Sequence, residues 1–333
     1  MSDPFARLLR VPALATALNL QQRVLADFHR RAGRVLEGRC RLRPYEETAL
    51  SLERNLFSTL FLSTERQAGV PAVRLPFLGL VNQCMRAWVT SCDNLLDHEF
   101  KSVLPFDLPH GGWHFASVLT IMTADRVLFD LLLEERDAGQ LSSAEAQHLS
   151  HRTLGALTRS GLQEHEEELG APCILPVGEL LERVHVPKTG LLFEAPIAAA
   201  EVLCALAPAR TARARAGLRA FGLACQVLDD IADFEDDLRR SRHNLVLSLA
   251  VEAGCGRASI TWAKLRAHLP TLPFEEAKSE AGEHAFRLFQ DARVHLRAVG
   301  LDFSDEEWEA LLSAVRACLR GLPARTPLMG CRP

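Results

Sequence analysis

Residues 221–233, FGLACQVLDDIAD, carry the most informative signal in this chain. The run 220–228 is apolar apart from Gln226, so it reads as a helix that enters a protein core. Asp229 and Asp233 follow in register and share one face of that helix. Two carboxylates at the end of a buried helix are costly unless a cation lies between them. The segment therefore predicts a cation site at the end of a core helix.

A second acidic cluster stands earlier in the chain, at residues 93–97, DNLLD. It follows a mostly apolar stretch, 85–92, and Asp93 and Asp97 again share one helical face. Taken alone, this cluster reads equally well as a solvated helix end. We call residues 93–97 the first aspartate motif and residues 229–233 the second.

The two motifs together favour a single explanation. Both are rich in carboxylates, without histidine or cysteine at ligand spacing, and hard oxygen ligands favour Mg²⁺. A diphosphate and Mg²⁺ between the motifs would compensate both groups of buried charge. We therefore expect two acid-bearing helix ends to face each other across an apolar pocket and to share divalent metal.

Helical periodicity recurs along the chain, and no segment alternates convincingly with period 2. Apolar residues make up 48% of the sequence, mostly Leu and Ala, a mix that favours helix over strand. We expect an all-α, single-domain helical bundle over residues 1–333, with loose tails at 1–12 and 322–333.

Several helix boundaries are predicted from proline and glycine. Pro44 suits a first helical turn, which predicts a helix over 45–65. Around the second motif, the pattern predicts a helix over 178–206 that bends at Gly190, a turn at 207–214 and a long helix over 215–238.

Charge and termini exclude several functional classes. The chain has 38 basic and 42 acidic residues, a balance that gives no reason to expect nucleic acid or an anionic membrane surface as a partner. The N-terminus lacks the layout of a signal peptide, and the longest apolar tract, 196–208, is too short for a membrane span. Nine cysteines without a close pair fit reduced thiols in a cytoplasmic protein.

A longer pattern makes the prediction specific. Residues 188–193, KTGLLF, precede Phe221-Gly222 and then Gln226 with the second motif. This order and spacing resembles the trans-polyprenyl diphosphate synthase family, over about residues 75–249. The resemblance implies an isoprenoid synthase bundle around a deep apolar cavity, a homodimer, and an allylic prenyl diphosphate held with the family's set of three Mg²⁺ ions.

The resemblance also implies roles for single residues. It places the magnesium ligands or their close support at Asp93, Asp97, Asp229 and Asp233. It places diphosphate contacts at Lys188 and Gln226, with Thr189 in support.

The chain departs from chain-elongating members of that family at the pocket for a second diphosphate. Residues 98–101, HEFK, follow the first motif where those enzymes carry paired arginines. Cys40 stands where the basic stretch 38–44 should carry a lysine, and Arg86 replaces a histidine. A one-substrate reaction is therefore favoured: a Mg²⁺-dependent class I terpene synthase that releases diphosphate and yields a hydrocarbon or alcohol. A chain-elongating or coupling prenyltransferase and a non-catalytic regulatory subunit are the alternatives.

Further residues are expected at the substrate. Arg242, in a shortened loop after the second motif, would add positive charge at the diphosphate, and Arg86 would contribute to an anion site. Trp88, just over one helical turn before Asp93, and Phe193 would contact the prenyl chain. Ordinary core packing is the competing interpretation for both aromatic side chains.

Overall fold

The computed structural model describes residues 3–96, 100–108, 112–256 and 259–319. These residues are helical apart from loops and one very short strand pair, which confirms the all-α prediction. The chain divides into two compact units, each discontinuous in sequence. Unit 1 is Met1–Leu157, Ala195–Ala214 and Val299–Leu301, and unit 2 is Thr158–Glu194, Arg215–Ala298 and Asp302–Pro333. The single domain expected over 1–333 stays a prediction.

Unit 1 contains the N-terminal helices. They are α1 (Pro4–Leu8), α2 (Pro12–Leu36), α3 (Leu52–Ala68), α4 (Leu75–Leu96), α5 (Trp113–Asp137) and the first part of α6 (Ser143–Glu168), with a 3₁₀ turn at Glu47–Leu50.

Helix α4 lies at the centre of unit 1, in contact with α2, α3 and α5. Its side chains at Leu78, Val81 and Cys84 are fully buried. Gly79 permits the close approach of α2, because a Cβ there would lie 2.6 Å from Cγ2 of Val24. The first motif thus extends from a helix that is packed on several sides.

Two predictions for unit 1 are wrong. The N-terminal tail is not loose: α1 is formed, and Leu8 is fully buried against the unit. The helix expected from Tyr45 begins only at Leu52, where the side chain of Ser51 caps it. Pro44 therefore lies in a segment without regular secondary structure, before the 3₁₀ turn, rather than in a first helical turn.

Unit 2 begins with the second part of α6 and continues through the remaining elements. They are strand β1 (Cys173–Ile174), α7 (Val177–Leu180), a π-helix (Leu181–Gly190), α8 (Leu191–Leu203), α9 (Pro208–Ala232), α10 (Phe234–Arg240), α11 (Leu245–Cys255), β2 (Ile260–Thr261), α12 (Trp262–His268), a 3₁₀ turn (Leu269–Thr271), α13 (Phe274–Ala298) and α14 (Asp305–Cys318). Helices α8 and α9 contribute residues to both units.

Helix α11 is the buried element of unit 2, packed against α13, α7 and β1. Its residues Leu245, Val246 and Leu247 are fully buried. Strands β1 and β2 pair antiparallel, with Cys173 opposite Thr261. Two-residue strands show no readable period, so the sequence pattern did not predict them.

The boundaries around the second motif differ from the prediction. There is no turn over 207–214, because α9 begins at Pro208, a position that suits the fixed backbone angle of proline. The predicted helix over 215–238 is interrupted at Asp233, between α9 and α10, where φ is −96° and ψ is 6°.

The segment expected to bend at Gly190 contains a π-helix that ends at that residue. It contains Pro187, and the N–H of Leu191 bonds to the carbonyl of Val186, five residues earlier. Proline in a regular α-helix clashes with the carbonyl four residues before it, and the wider π-turn relieves that contact.

Among the described residues, every helix falls short of the length and apolarity that crossing a membrane requires. The predicted tail at 322–333 lies outside the described residues.

Candidate active site

The aspartates of the second motif, at the end of α9, differ in their exposure to solvent. Gln226 and Asp230 are buried, Asp229 is half-buried, and Asp233 is exposed at the junction with α10. Successive residues on a helix point about 100° apart, so Asp229 and Asp230 face different neighbours. Asp229 and Asp233 are therefore the carboxylates accessible to a ligand.

Asp229 lies in a strongly negative environment. Burial and the adjacent Asp233 carboxylate raise the pKa of Asp229 to about 7, against the opposing effect of Lys188. A cation at this place would favour the ionised carboxylates. The predicted pairing of Asp229 and Asp233 within one acidic site is thus consistent with their electrostatics.

Lys188 and Thr189 lie in the π-helix, beside α6 and α9. The Nζ of Lys188 is 3.2 Å from Oε1 of Glu164, and Ser160 Oγ donates to the Lys188 carbonyl at 2.8 Å. Burial alone would lower the pKa of Lys188, but the carboxylates of Glu164 and Asp229 raise it. The Thr189 hydroxyl donates to Oε1 of Gln226 at 2.5 Å. The structure therefore brings Lys188, Thr189, Gln226 and Asp229 together in unit 2.

Asp230, which the sequence analysis did not select, has the densest set of partners. Its Oδ2 accepts from His185 Nε2 at 3.0 Å and from the backbone N–H of Leu245 at 2.6 Å. Its Oδ1 accepts from Gln226 Nε2 at 3.0 Å, and its carbonyl accepts from Asn244 Nδ2 at 2.6 Å. Burial would raise the pKa of Asp230, but the interaction with His185 and these hydrogen bonds lower it. The sequence signal for it was its place beside Asp229 within the second motif.

Acidic residues at the end of α6 pair with the loop after α10. His243 donates its backbone N–H to Glu167 Oε2 at 2.8 Å, and its ring Nδ1 lies 2.7 Å from Glu167 Oε1. Arg242, predicted to contact the diphosphate, forms an ion pair with Glu168. Its predicted role stays a prediction.

Phe193 packs among aromatic rings rather than standing alone. Its ring centroid lies 6.3 Å from that of Phe221, which lies 5.2 Å from Phe289. Gly222 makes this packing possible, because a Cβ there would lie 2.5 Å from Cγ of Phe193. These contacts support core packing for Phe193, and its predicted contact with substrate stays a prediction.

The first motif in unit 1 is described only in part. Asp93 is half-buried near the end of α4, whereas Asp97 lies outside the described residues. Asn94 is 2% exposed and faces inward. Its Oδ1 accepts from the Lys101 N–H at 2.8 Å, and its Nδ2 donates to the Lys101 carbonyl at 3.1 Å and to Ser117 Oγ at 3.4 Å. Asn94 therefore connects the motif to the following loop and to α5.

Arg86 and Trp88 are both held by neighbouring helices of unit 1. Arg86 donates to Asn55 Oδ1 at 2.8 Å and to the Arg54 carbonyl at 2.7 Å. Trp88 packs against the core cluster and donates its indole N–H to the Ile121 carbonyl at 3.1 Å. Their predicted roles at the substrate stay predictions.

The basic stretch before Pro44 is fixed beside the loop that follows the first motif. The N–H of Arg43 bonds to the Pro105 carbonyl at 2.8 Å, and the N–H of Asp107 bonds to the Arg41 carbonyl at 2.9 Å. Arg41 and Arg43 are exposed. Within unit 1, arginine side chains are thus available near this loop.

The described residues of the second motif fit magnesium rather than a softer metal. No group of three or more His, Cys, Asp or Glu side chains within the described ranges is arranged to hold a metal alone. Magnesium is commonly bound by one or two carboxylates together with water and substrate phosphates. Asp229 and Asp233 match that pattern. Asp230 does not, because it already accepts hydrogen bonds from His185 and a backbone N–H.

Sequence comparison gives no relative: no family model and no curated protein matches the chain. Structure comparison does. A decaprenyl diphosphate synthase from Rhodobacter capsulatus superposes with a TM-score of 0.62 at 15% identity, over 96% of this chain and 100% of that one. The chain has the fold of the polyprenyl diphosphate synthases.

Further structures with the polyprenyl synthase fold agree. A geranylgeranyl pyrophosphate synthetase from Geoglobus acetivorans gives a TM-score of 0.55 at 15% identity, over 90% of this chain and 99% of that one. A polyprenyl synthase from Caulobacter crescentus, complexed with calcium and isoprenyl diphosphate, gives 0.54 at 16% identity, over 96% and 98%. At these identities the likeness establishes the fold, which confirms the predicted isoprenoid synthase architecture.

Proposed function

We propose that this chain is a Mg²⁺-dependent prenyltransferase that ionises an allylic prenyl diphosphate and transfers the prenyl group to a second isoprenoid diphosphate. The observation that carries the proposal is the group formed by Lys188, Thr189, Gln226 and Asp229 on a prenyl synthase fold. Lys188 and a remaining N–H of Gln226 would donate to phosphate oxygens, Thr189 would hold Gln226 in place, and Asp229 would bind magnesium.

The reaction requires separation of charge at the allylic carbon. The C–O bond breaks, and its electron pair leaves with the diphosphate. The ligands of Mg²⁺ would be Asp229 and Asp233 of the second motif together with Asp93 and Asp97 of the first. We propose three ions, the number found in the family. When bound, Mg²⁺ stabilises the negative charge that develops on the leaving group.

Residues of the chain would supply the remaining charge stabilisation. Lys188 has a raised pKa, so its ammonium stays charged near neutral pH and would donate to the diphosphate. Gln226 already accepts from Thr189 and donates to Asp230, so its amide orientation is fixed. An apolar cavity, expected from the fold, would exclude water from the allylic cation.

Transfer to a second substrate is supported by unit 1. The stretch that carries Arg41 and Arg43 is bonded to the loop after the first motif, and Arg86 is held from α3. Guanidinium groups are well suited to phosphate oxygens. The structures with the same fold are named as prenyl diphosphate synthases, which supports transfer over the single-substrate reaction favoured by the sequence alone. In transfer, the double bond of the second isoprenoid attacks the allylic carbon, and the resulting carbocation loses a proton from an adjacent carbon to the released diphosphate.

A class I terpene synthase is the second candidate, because the second basic pocket is reduced. Cys40 replaces the lysine of the family's basic stretch, and HEFK at 98–101 lacks the paired arginines. Such an enzyme would need one diphosphate only and would yield a hydrocarbon or alcohol.

One experiment separates the candidates. The protein is incubated with Mg²⁺ and geranyl, farnesyl or geranylgeranyl diphosphate, with and without isopentenyl diphosphate. Prenyl transfer predicts a longer diphosphate that forms only with the second substrate. Hydrocarbon or alcohol without it identifies the terpene synthase, and the absence of diphosphate release in every reaction contradicts both.

We also propose the homodimer that the resemblance implies. Helix α5 presents four exposed apolar side chains along one stripe: Phe115, Val118, Met122 and Phe129. Exposed apolar surface of this kind is typical of protein–protein contacts. Light scattering should give twice the chain mass for the wild type and the single mass for Met122→Glu; a monomeric wild type would contradict the dimer.

A further inference from the structure

His185 and Asp230 form a buried hydrogen-bonded contact inside unit 2. The His185 Nε2 lies 3.0 Å from Oδ2 of Asp230, and the two side chains are 1% and 4% exposed. The carboxylate oxygen accepts this bond, so Nε2 of His185 carries the proton. The other ring nitrogen, Nδ1, has no hydrogen-bond partner in the described part of the chain. The imidazole is therefore oriented by Asp230.

Three hydrogen bonds occupy most of the acceptor positions of the Asp230 carboxylate. Gln226 donates to its Oδ1, and Leu245 and His185 donate to its Oδ2. A metal at Asp230 would have to reach a side chain that is 4% exposed and compete with these three buried hydrogen bonds. Within the described ranges, Asp229, on a different side of α9, receives no comparable set of hydrogen bonds.

The same contact connects the two segments that carry the proposed diphosphate and metal groups. His185 lies three residues before Lys188, within one π-helix. Thr189, at the far side of Lys188, bonds to Gln226, which bonds in turn to Asp230. The π-helix is thus connected to Asp230 at two points: directly through His185, before Lys188, and through Thr189 and Gln226, after it.

We propose that His185 and Asp230 are positioning residues, which fix Lys188 relative to Asp229 through their mutual contact, and that Asp230 is not a magnesium ligand. The inference deepens the proposed function and rests on it for its activity measurements. Loss of an outer partner of a metal or anion site commonly lowers activity by about 10–100-fold. The substitutions that follow separate positioning from ligation.

The first test compares neighbouring aspartates in the diphosphate-release assay. Asp229→Asn should raise the Mg²⁺ concentration needed for half-maximal rate, because it removes a ligand. Asp230→Asn should lower kcat. Its rise in the required Mg²⁺ concentration should be at least about tenfold smaller than the rise in Asp229→Asn. An equal rise in the two variants would make Asp230 a ligand and overturn the inference.

The second test concerns the histidine. His185→Leu should lower kcat by about 10–100-fold. His185→Gln, whose amide N–H replaces Nε2–H, should recover most of the loss. His268→Leu, at an exposed histidine of α12, is the matched control and should keep wild-type kcat. Wild-type kcat in His185→Leu, or no recovery with glutamine, would overturn the inference.

A stability cycle keeps the inference separate from the proposed function. Thermal unfolding midpoints are measured for His185→Leu, Asp230→Leu and the double variant. Direct contact predicts a double-variant shift clearly smaller than the sum of the single shifts. Additive shifts would contradict the contact. A wild type that releases no diphosphate would contradict the proposed function, while the cycle would still decide whether the contact exists.

Discussion

The second residue of each aspartate motif is buried and hydrogen-bonded, but it is an amide in the first motif and a carboxylate in the second. In the first motif, Asn94 is buried and exchanges hydrogen bonds with Lys101 in both directions. In the second, Asp230 is buried and only accepts, from His185 and Leu245 among others. A neutral amide can both donate hydrogen bonds to backbone groups and accept them, whereas a buried carboxylate only accepts and requires a cationic partner or several donors. In each motif, the flanking aspartates remain as the candidates for metal.

A buried acid in unit 1 shows what happens without such partners. Glu65 on α3 is fully buried and receives one hydrogen bond, from Asn82 Nδ2 of α4 at 3.0 Å. Its Oε2 has no hydrogen-bond partner among the described residues. Burial raises the pKa of Glu65 to about 8, although Asn82 partly opposes this, whereas the pKa of Asp230 is lowered. The number and charge of the partners decide whether the buried acid stays ionised.

The largest expected effect concerns the flanking aspartates. Asp93→Ala and Asp229→Ala should each lower kcat/KM for diphosphate release by about 10²–10³-fold, since each removes a group that stabilises the leaving charge. Glu235→Ala, at an exposed acid just after the second motif, is the control and should retain wild-type activity. Full activity in Asp93→Ala alone would break the comparison, because only the second motif would then bind metal.

Glu65 gives a smaller effect, on stability. Because its folded pKa of about 8 lies above the ordinary value of 4.5, the folded state holds the proton more tightly. Wild-type stability should fall as pH rises between those values, by about 1.4 kcal/mol per pH unit for this group, and level off above them.

The matched variants for this prediction are Glu65→Gln and Glu46→Gln. Glutamine at position 65 keeps the acceptor for Asn82 and cannot ionise, so the variant should lose this part of the pH dependence and exceed wild-type stability at pH 8. Glu46 is exposed, and its substitution should leave the profile unchanged. Denaturant midpoints from pH 4 to 9 measure both; parallel profiles for wild type and Glu65→Gln would contradict the assignment.

The smallest expected effect tests the neutral residue in the first motif. Asn94→Asp removes the donor to the Lys101 carbonyl and places a charge at a buried position. The free energy of unfolding should fall by about 1–3 kcal/mol. Asn19→Asp, on the exposed face of α2, should change it little. Equal stability of the two variants in urea unfolding would show that the Asn94 bonds contribute nothing.

Residues on one helix could be predicted from the sequence, and contacts between distant segments could not. The register of Gln226, Asp229 and Asp233 follows from helical period, and the structure keeps it up to the break at Asp233. The contact of His185 with Asp230 joins the π-helix to α9. No sequence pattern relates these two residues, so the contact could not be predicted. Local rules also failed at Pro208, which opens a helix where a turn was expected.

The most direct test of the account is a crystal structure of the protein with Mg²⁺ and an unreactive thio-analogue of farnesyl diphosphate. We predict metal ions coordinated by Asp93 of α4 and by Asp229 of α9, each also bound to oxygens of the same diphosphate. Metal at only one of these aspartates, or Asp93 and Asp229 on opposite sides of the molecule, would contradict a shared site.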